Sequence, residues 1–478
     1  MKKVLLLLLA LSMLLAVFAG CGKKDDEDEK PKGTVAPVEP EIPYELPTTD
    51  MGGREVTIVI PDGSHYQFTL ENNQKSDIEK EGVSNRNDYV ESDLNCVIAI
   101  QKITNNATSY NDLMNNELAS QSGEFDVVFY PYWYKMETHG YFCNLLGEEM
   151  SPYIAADQPF YCQGWNDMAT IRGMLEGIVG YGSWDMMQAA TATFYNIDMY
   201  NNRFETNPYD LVDNGQWTLE LMKQMSLAAN VDKDGDGMNA EQGDTYGMLI
   251  GLHGMRALFY TMGGAFSTVE KGEDPVMHLT TEHNIAVFEK IYDLYNNFER
   301  RFAYDSNQMT YAFRDQEGLF VMNSFATAAY LTKVSFDYGI LPFPKFDENQ
   351  TEYISTNTGV RNFGIPTTVD SRSEAAIFLN AFNYYSYTFV KPAYFDGVLK
   401  LRYSNGSEDA RMVDLIMDNM YIDFNFIYDQ ALGGHGNAYF DNLIMSQKQT
   451  FKSFYDSQLT PMQTLFNTLV TNYTSQWG

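Results

Sequence analysis

The sequence predicts an α/β protein of two domains built on mainly parallel sheets. Strand-like and helix-like segments alternate from residue 55 onward, and 44% of the chain is apolar. The foldable stretch is about 420 residues long, a length that suits two domains. Alternation of this kind marks βαβ units, and the apolar fraction supplies a core.

Residues 55–60 (EVTIVI) alternate polar and apolar and stop at Pro61-Asp62-Gly63, a turn signal, so they read as a first strand. A helix is expected over 83–94, a strand over 96–103, a helix over 110–121 and a strand over 125–130 (FDVVFY). Helical spacing also runs through 282–298, 374–389 and 460–473, each with an apolar face. In open α/β sheets a ligand sits beyond the carboxyl ends of the strands. The residues just after Phe129 are therefore candidates on position alone.

The N-terminus carries an address. Lys2 and Lys3 precede the apolar run Val4 to Phe18, which ends in Ala19-Gly20 before Cys21. The run of about 15 residues is shorter than the roughly 20 that span a bilayer, which favours a cleaved secretory signal over residues 1–20. The small residues before Cys21 resemble a bacterial lipobox, which implies lipidation of Cys21 and a place on the extracellular face of the cytoplasmic membrane. Several acyl chains hold a protein there, since one alone is marginal. Residues 21–51, charged and then proline-rich, are expected to form a disordered tether.

Charge excludes some partners. With 64 acidic and 32 basic residues the formal net charge is −32, which repels nucleic acid and anionic lipid. Cys96, Cys143 and Cys162 follow Cys21. Cys143 and Cys162 either pair in an oxidising exterior or, with Cys96, serve as small buried apolar groups.

A series of segments then resembles one family. FDVVFYPYW (125–133) is followed by TFYNIDMY (193–200), Trp217-Thr218, DKDGDGMNAEQGDTYG (232–247), EGLFVMNSF (317–325) and FDYGILPFPK (336–345). Their order resembles that of carbohydrate-type solute-binding proteins of ABC importers, the maltose-binding-protein-like group. The resemblance implies a two-lobed periplasmic-binding-protein-like clamshell, each lobe a mainly parallel sheet flanked by helices. It implies an N-terminal lobe of residues 52–189 and 340–385 and a C-terminal lobe of 190–339 and 386–478. The lobes would be joined by hinge strands near 188–191, 338–343 and 384–387. A monomer that captures an oligosaccharide and delivers it to ABC permease subunits is the implied function.

Sugars present flat C–H faces rimmed by hydroxyls, so a site needs aromatic plates and polar groups. Tyr130, Tyr132, Trp133 and Tyr134 follow the third strand, and by the resemblance Tyr130 and Phe325 stand where stacking aromatics occur. Tyr181, Trp184 and Asp185 precede the first hinge and complete the expected ligand set. Asp232, Asp234 and Asp236 alternate as in the first half of a calcium loop, with Asp244 as the closing carboxylate. A structural calcium or a metal-free solvated turn are the two readings.

No HExxH, GxSxG or CxxC is present, and the six histidines are scattered without metal-ligand spacing. An enzyme is not expected and no cofactor is required. The alternatives are a surface glycoside hydrolase, whose carboxylate pair no motif reveals, and a sensor that reports ligand to a membrane receptor.

Overall fold

The computed structural model describes residues 44–64, 67–70, 77–134, 140–235, 237–238, 244–270, 273–331, 333–357, 359–395, 406–434, 438–446 and 450–475. The leader, Cys21, most of the expected tether and Asp236 lie outside these residues. The tether ends sooner than expected. Tyr44 already packs on the folded body, its ring 5.4 Å from Phe160 and its hydroxyl accepting from Asn380 Nδ2 at 3.0 Å.

The chain opens with β1 (Arg54–Pro61), α1 (Asp77–Leu94), β2 (Cys96–Ile103), α2 (Ala107–Ser120) and β3 (Val127–Pro131). β1 pairs in parallel with both β2 and β3, as two helical crossovers require. Because side chains alternate along a strand, Val56, Ile58 and Ile60 share one face and join the main core with Val83, Val90 and Leu94 of α1. Val59 points the other way and joins Val128, Tyr110 and Met114. Both faces of this sheet are covered, as parallel sheets demand. The short helix α3 (Gln163–Ala169) belongs to the irregular stretch that follows.

The second lobe takes β4 (Thr191–Asn196), α4 (Leu219–Ala229), β5 (Tyr246–Gly251), α5 (Leu252–Thr261) and α6 (Glu282–Asn296). It continues with β6 (Arg301–Ala303), α7 (Ser306–Arg314), β7 (Gly318–Ser324) and β8 (Tyr338–Leu341). Its sheet runs β8-β4-β7-β5-β6, with β5 parallel to β6 and β7 and with β4 antiparallel to its neighbours. α4 lies so close to β5 that a Cβ on Gly247 would sit 2.0 Å from the Ser226 carbonyl oxygen. Only glycine fits there.

β9 (Arg361–Gly364) returns to the first sheet, antiparallel to β3, completing the order β9-β3-β1-β2. The expected crossing at 338–343 is therefore displaced. β8 is a strand of the second sheet, and the chain changes lobes at Ser355–Asn357, where Ala190 pairs with Asn357 and Thr191 N donates to Thr356 O at 2.9 Å. Buried Asn357 donates through its side chain to the carbonyls of Asp185 and Met186, fixing the first crossing to the second.

The expected crossing at 384–387 is also displaced. α8 (Arg372–Tyr385) runs on as a π turn (Ser386–Val390) and a short helix (Lys391–Tyr394), both packed on α1. Tyr89 of α1 holds this stretch, with ring centroids 5.4 Å from Tyr385 and 4.8 Å from Phe389. These aromatic contacts keep 386–395 with the first lobe. α9 (Gly406–Asp418), α10 (Phe424–Ile427), α11 (Ala438–Met445) and α12 (Phe451–Ser475) follow. α11 and α12 pack on α6 of the second lobe. Between α9 and α10, Tyr421 N donates to Ser355 O at 2.8 Å, so a third strand of chain lies beside the second crossing.

Candidate ligand-binding site

The carboxyl ends of β3 and β5 meet at the lobe boundary. Tyr132 stands directly after β3, with its ring centroid 5.2 Å from Trp165 of α3 and 5.7 Å from Phe426 of α10. Tyr260 of α5 reaches the same place, 5.9 Å from Phe426. Burial pushes the Tyr132 hydroxyl far above its ordinary pKa, reinforced by Asp429 and opposed by Arg256. Arg256 lies in α5, directly after β5. Charged groups from separate segments thus act on one phenol that itself stands at a strand end, where the switch-point rule expects a ligand.

The polar groups around these rings are charged and neutral by turns. Arg256 donates to both Asp441 oxygens, one bond at 3.1 Å and one shorter. Burial opposes charge on that guanidinium, and the Asp441 pairing more than offsets it, holding the pKa above its usual value. His253, one turn earlier on α5, is exposed to solvent. Desolvation by surrounding protein, with Arg256 adding, still holds its imidazole pKa below the ordinary value, while Asp441 and Asp305 oppose.

Several polar atoms here are buried without a hydrogen-bond partner among the described residues: Trp165 Nε1, the Tyr260 hydroxyl, and both side-chain polar atoms of Asn425. Trp165 is 0%, Tyr260 2% and Asn425 1% exposed. An unmade bond at such depth costs about 1–3 kcal/mol, so native proteins retain few of them without a purpose. Aromatic rings and polar side chains thus come together at the lobe boundary, buried in this arrangement.

The expected ligand residues are placed differently. Tyr130 is fully buried and stacked on Phe142 at 4.9 Å, in the small core between the first sheet and α2. Strand alternation puts it on the same face as Val128, where it packs in that core. Trp133 is in a 3-10 turn, but its side chain lies outside the described residues. Tyr134 donates to Asn105 Oδ1 at 3.0 Å.

Tyr181, Trp184 and Phe325 are brought together, but around the stretch after α8. Tyr181 meets Tyr387 at 5.1 Å, Trp184 meets Tyr394 at 5.9 Å, and Phe325 meets Phe395 at 6.0 Å. All three are buried and pack at the crossing in this arrangement. Asp185 accepts from Arg361 at 2.6 Å. Sequence reasoning missed Trp165, Arg256, Tyr260, Asn425 and Phe426. One local signal was available: Arg256 is a lone guanidinium in a mainly apolar helix immediately after a strand.

The acidic loop brings Asp232, Asp234 and Asp244 together, with carboxylate oxygens within 4.8 Å of one another. Asp232 also accepts from Gly235 N at 2.6 Å and Gly237 N at 3.1 Å, and Asp244 from Lys233 N at 3.0 Å. Cys96, Cys143 and Cys162 are free, so Cys143 and Cys162 do not pair. Burial pushes their thiols up to about 11, 11 and 12. No described helix is long and apolar enough to cross a membrane.

No protein-family model matches the chain, and no curated protein matches it in sequence. Solved structures do. Maltose-bound MalE3 of T. maritima superposes with a TM-score of 0.51 at 14% identity, over 87% of this chain and 99% of that one. A cyclo/maltodextrin-binding protein with maltotetraose gives 0.53 at 12% identity, over 88% and 97%. An ABC transporter solute-binding protein of Thermotoga lettingae with α-D-tagatose gives 0.53 at 12% identity, over 87% and 100%. At these identities the likeness speaks for the fold: the chain is a two-lobed, periplasmic-binding-protein-like α/β clamshell.

Proposed function

We propose that this chain is the solute-binding component of an ABC importer, capturing a neutral oligosaccharide at the lobe boundary and delivering it to membrane permease subunits. The observation that carries the reading is the constellation of Tyr132, Trp165, Tyr260 and Phe426 with the unspent polar atoms of Trp165, Tyr260 and Asn425. The ligands named with the similar structures, maltose, maltotetraose and tagatose, are sugars. Arg256 and Arg361 are already paired with Asp441 and Asp185, which favours an uncharged guest over an acidic one.

The signal-like leader and Cys21 support lipid anchoring on the outer face of the cytoplasmic membrane. The protein acts as a monomer without nucleic acid, in keeping with its charge of −32. It is a binding protein and not an enzyme on this reading: arginine engages both oxygens of Asp441 and one of Asp185. A thermal-shift screen against oligosaccharides, amino acids and peptides tests the reading. Stabilisation by neutral oligosaccharides is expected, and stabilisation confined to amino acids or peptides overturns it.

A further inference from the structure

The segment from Cys162 to Glu176 belongs to the first lobe by its hydrogen bonds. Cys162 N donates to Val179 O at 2.9 Å, Asn166 exchanges bonds with the Val179 backbone, and Ile178 pairs with Phe363 of β9. It also touches the other side of the boundary at several points along its length.

At its start, a Cβ on Gly164 would lie 1.9 Å from the Met420 carbonyl oxygen, so the segment lies flush against the chain between α9 and α10. At the end of α3, the Tyr428 hydroxyl donates to Ala169 O at 2.7 Å. Glu176 N donates to the hydroxyl of Tyr473, on α12, at 3.0 Å. Between these two buried bonds, Arg172 reaches out and grips Asp274 with both prongs, at 2.7 and 2.9 Å. Asp274 lies in the small hairpin formed by Ser267–Thr268 and Val276–Met277. Asp423, just before α10, ties that hairpin to the second lobe by accepting from Ser267 N and Oγ.

Arg172 is presented by a tight turn in which Ile171 and Met174 exchange backbone bonds at 3.0 and 2.9 Å. Its φ is 50° and that of Gly173 is 75°. Left-handed backbone is uncommon for a non-glycine residue, so this turn is shaped to aim the guanidinium. Arg172 and Asp274 are each about half exposed, with side chains 49% and 45% accessible. Such a pair adds little to folding, but at a boundary that opens it acts on the equilibrium between two arrangements of the same fold.

We propose that residues 162–176 form a strap that clasps the second lobe and that the Arg172–Asp274 pair is its releasable catch. The strap holds the lobes together through the protein's own contacts, so the balance of open and closed forms is set partly before any ligand arrives. The proposal rests on the two-lobed fold and not on the identity of the ligand.

Hydrogen exchange and small-angle scattering on the ligand-free full-length protein test it, with Arg172→Ala, Asp274→Ala and Tyr473→Phe as variants. Each catch variant is expected to speed exchange about two- to fivefold in peptides covering 162–176 and 266–277 alike. Amides of β1 and β5 should keep their wild-type rates. Combining Arg172→Ala with Tyr473→Phe is expected to raise the radius of gyration. Unchanged exchange in both peptides, or acceleration only in the turn around Arg172 with an unchanged radius, overturns the strap. Because no ligand enters these measurements, their failure is separate from any failure of the carbohydrate reading.

Discussion

The ring of Tyr132, at the carboxyl end of β3, lies 5.7 Å from that of Phe426, on a helix that follows the last crossing of the chain. Residues nearly 300 apart in sequence thus form the two sides of one boundary. Replacing Tyr132 by Ala removes an aromatic plate and is expected to weaken saccharide binding by about 1–3 kcal/mol, roughly fivefold to 150-fold in Kd. Tyr132→Phe keeps the ring and should lose far less. Calorimetric titration of both variants checks this, and equal affinities for wild type and Tyr132→Ala exclude the ring from the site.

Asp185 and Arg361 form a 2.6 Å ion pair beside the first and second crossings, with side chains 11% and 17% accessible. Removing one partner leaves the other charge without its counterpart in a mostly enclosed place, at a cost of about 3–5 kcal/mol. Arg361→Ala and Asp185→Ala should each lower stability by that order in urea denaturation. The double variant should lose clearly less than the two losses together. Additive losses would show that the pair does not act as a unit.

Asp409 supplies a pH signature. Its Oδ1 accepts from Tyr209 Oη at 2.7 Å and from Ile340 N at 2.8 Å, while Oδ2 is buried without a hydrogen-bond partner among the described residues. Burial pushes its carboxyl from 3.8 up to about 6, against the lowering effect of those two bonds. A raised folded-state value favours the protonated form in the native protein. The contribution to stability is therefore fully present below about pH 3.8 and is lost as pH rises through about 6. Between these limits, wild type should lose stability relative to Asp409→Asn as pH increases. A stability difference that is flat with pH would remove Asp409 from the account.

The three cysteines make a simple chemical prediction. Thiolates, not thiols, react with disulfide reagents, and these thiols are buried with pKa values pushed up to between about 11 and 12. Cys96, Cys143 and Cys162 are expected to stay unlabelled by an aromatic disulfide reagent in the native protein and to react together in urea. Rapid labelling of any one before unfolding contradicts their placement.

The fold was legible where the local pattern repeats. β2 spans the expected residues 96–103, and β1 extends the expected strand by one residue at each end, because polar–apolar alternation and turn residues mark their limits. The crossings were less legible. Tyr338–Leu341 looks like any buried strand, and only its pairing with β4 shows that it stays in the second sheet. Tyr384 to Phe389 gave no sign that aromatic contacts with Tyr89 would carry the helix onward.

Of the candidate site proposed here, only Tyr132 lies in a stretch that the sequence singles out. The switch-point rule pointed just past Phe129, and Tyr132 is there. Both faces of a parallel sheet are covered, so alternation alone gives Tyr130 no outward side. Trp165, Arg256 and Phe426 come from separate segments, and no local period links them. Their meeting is a property of the fold.

The measurement that tests the central claim most directly is isothermal titration of the purified protein with a panel of neutral oligosaccharides, run beside Tyr132→Ala and a chromatographic check for products. Saturable one-site binding of at least one saccharide, weakened in the variant and without turnover, is the predicted result. Absence of heat with every saccharide, or release of shorter sugars from any of them, contradicts it.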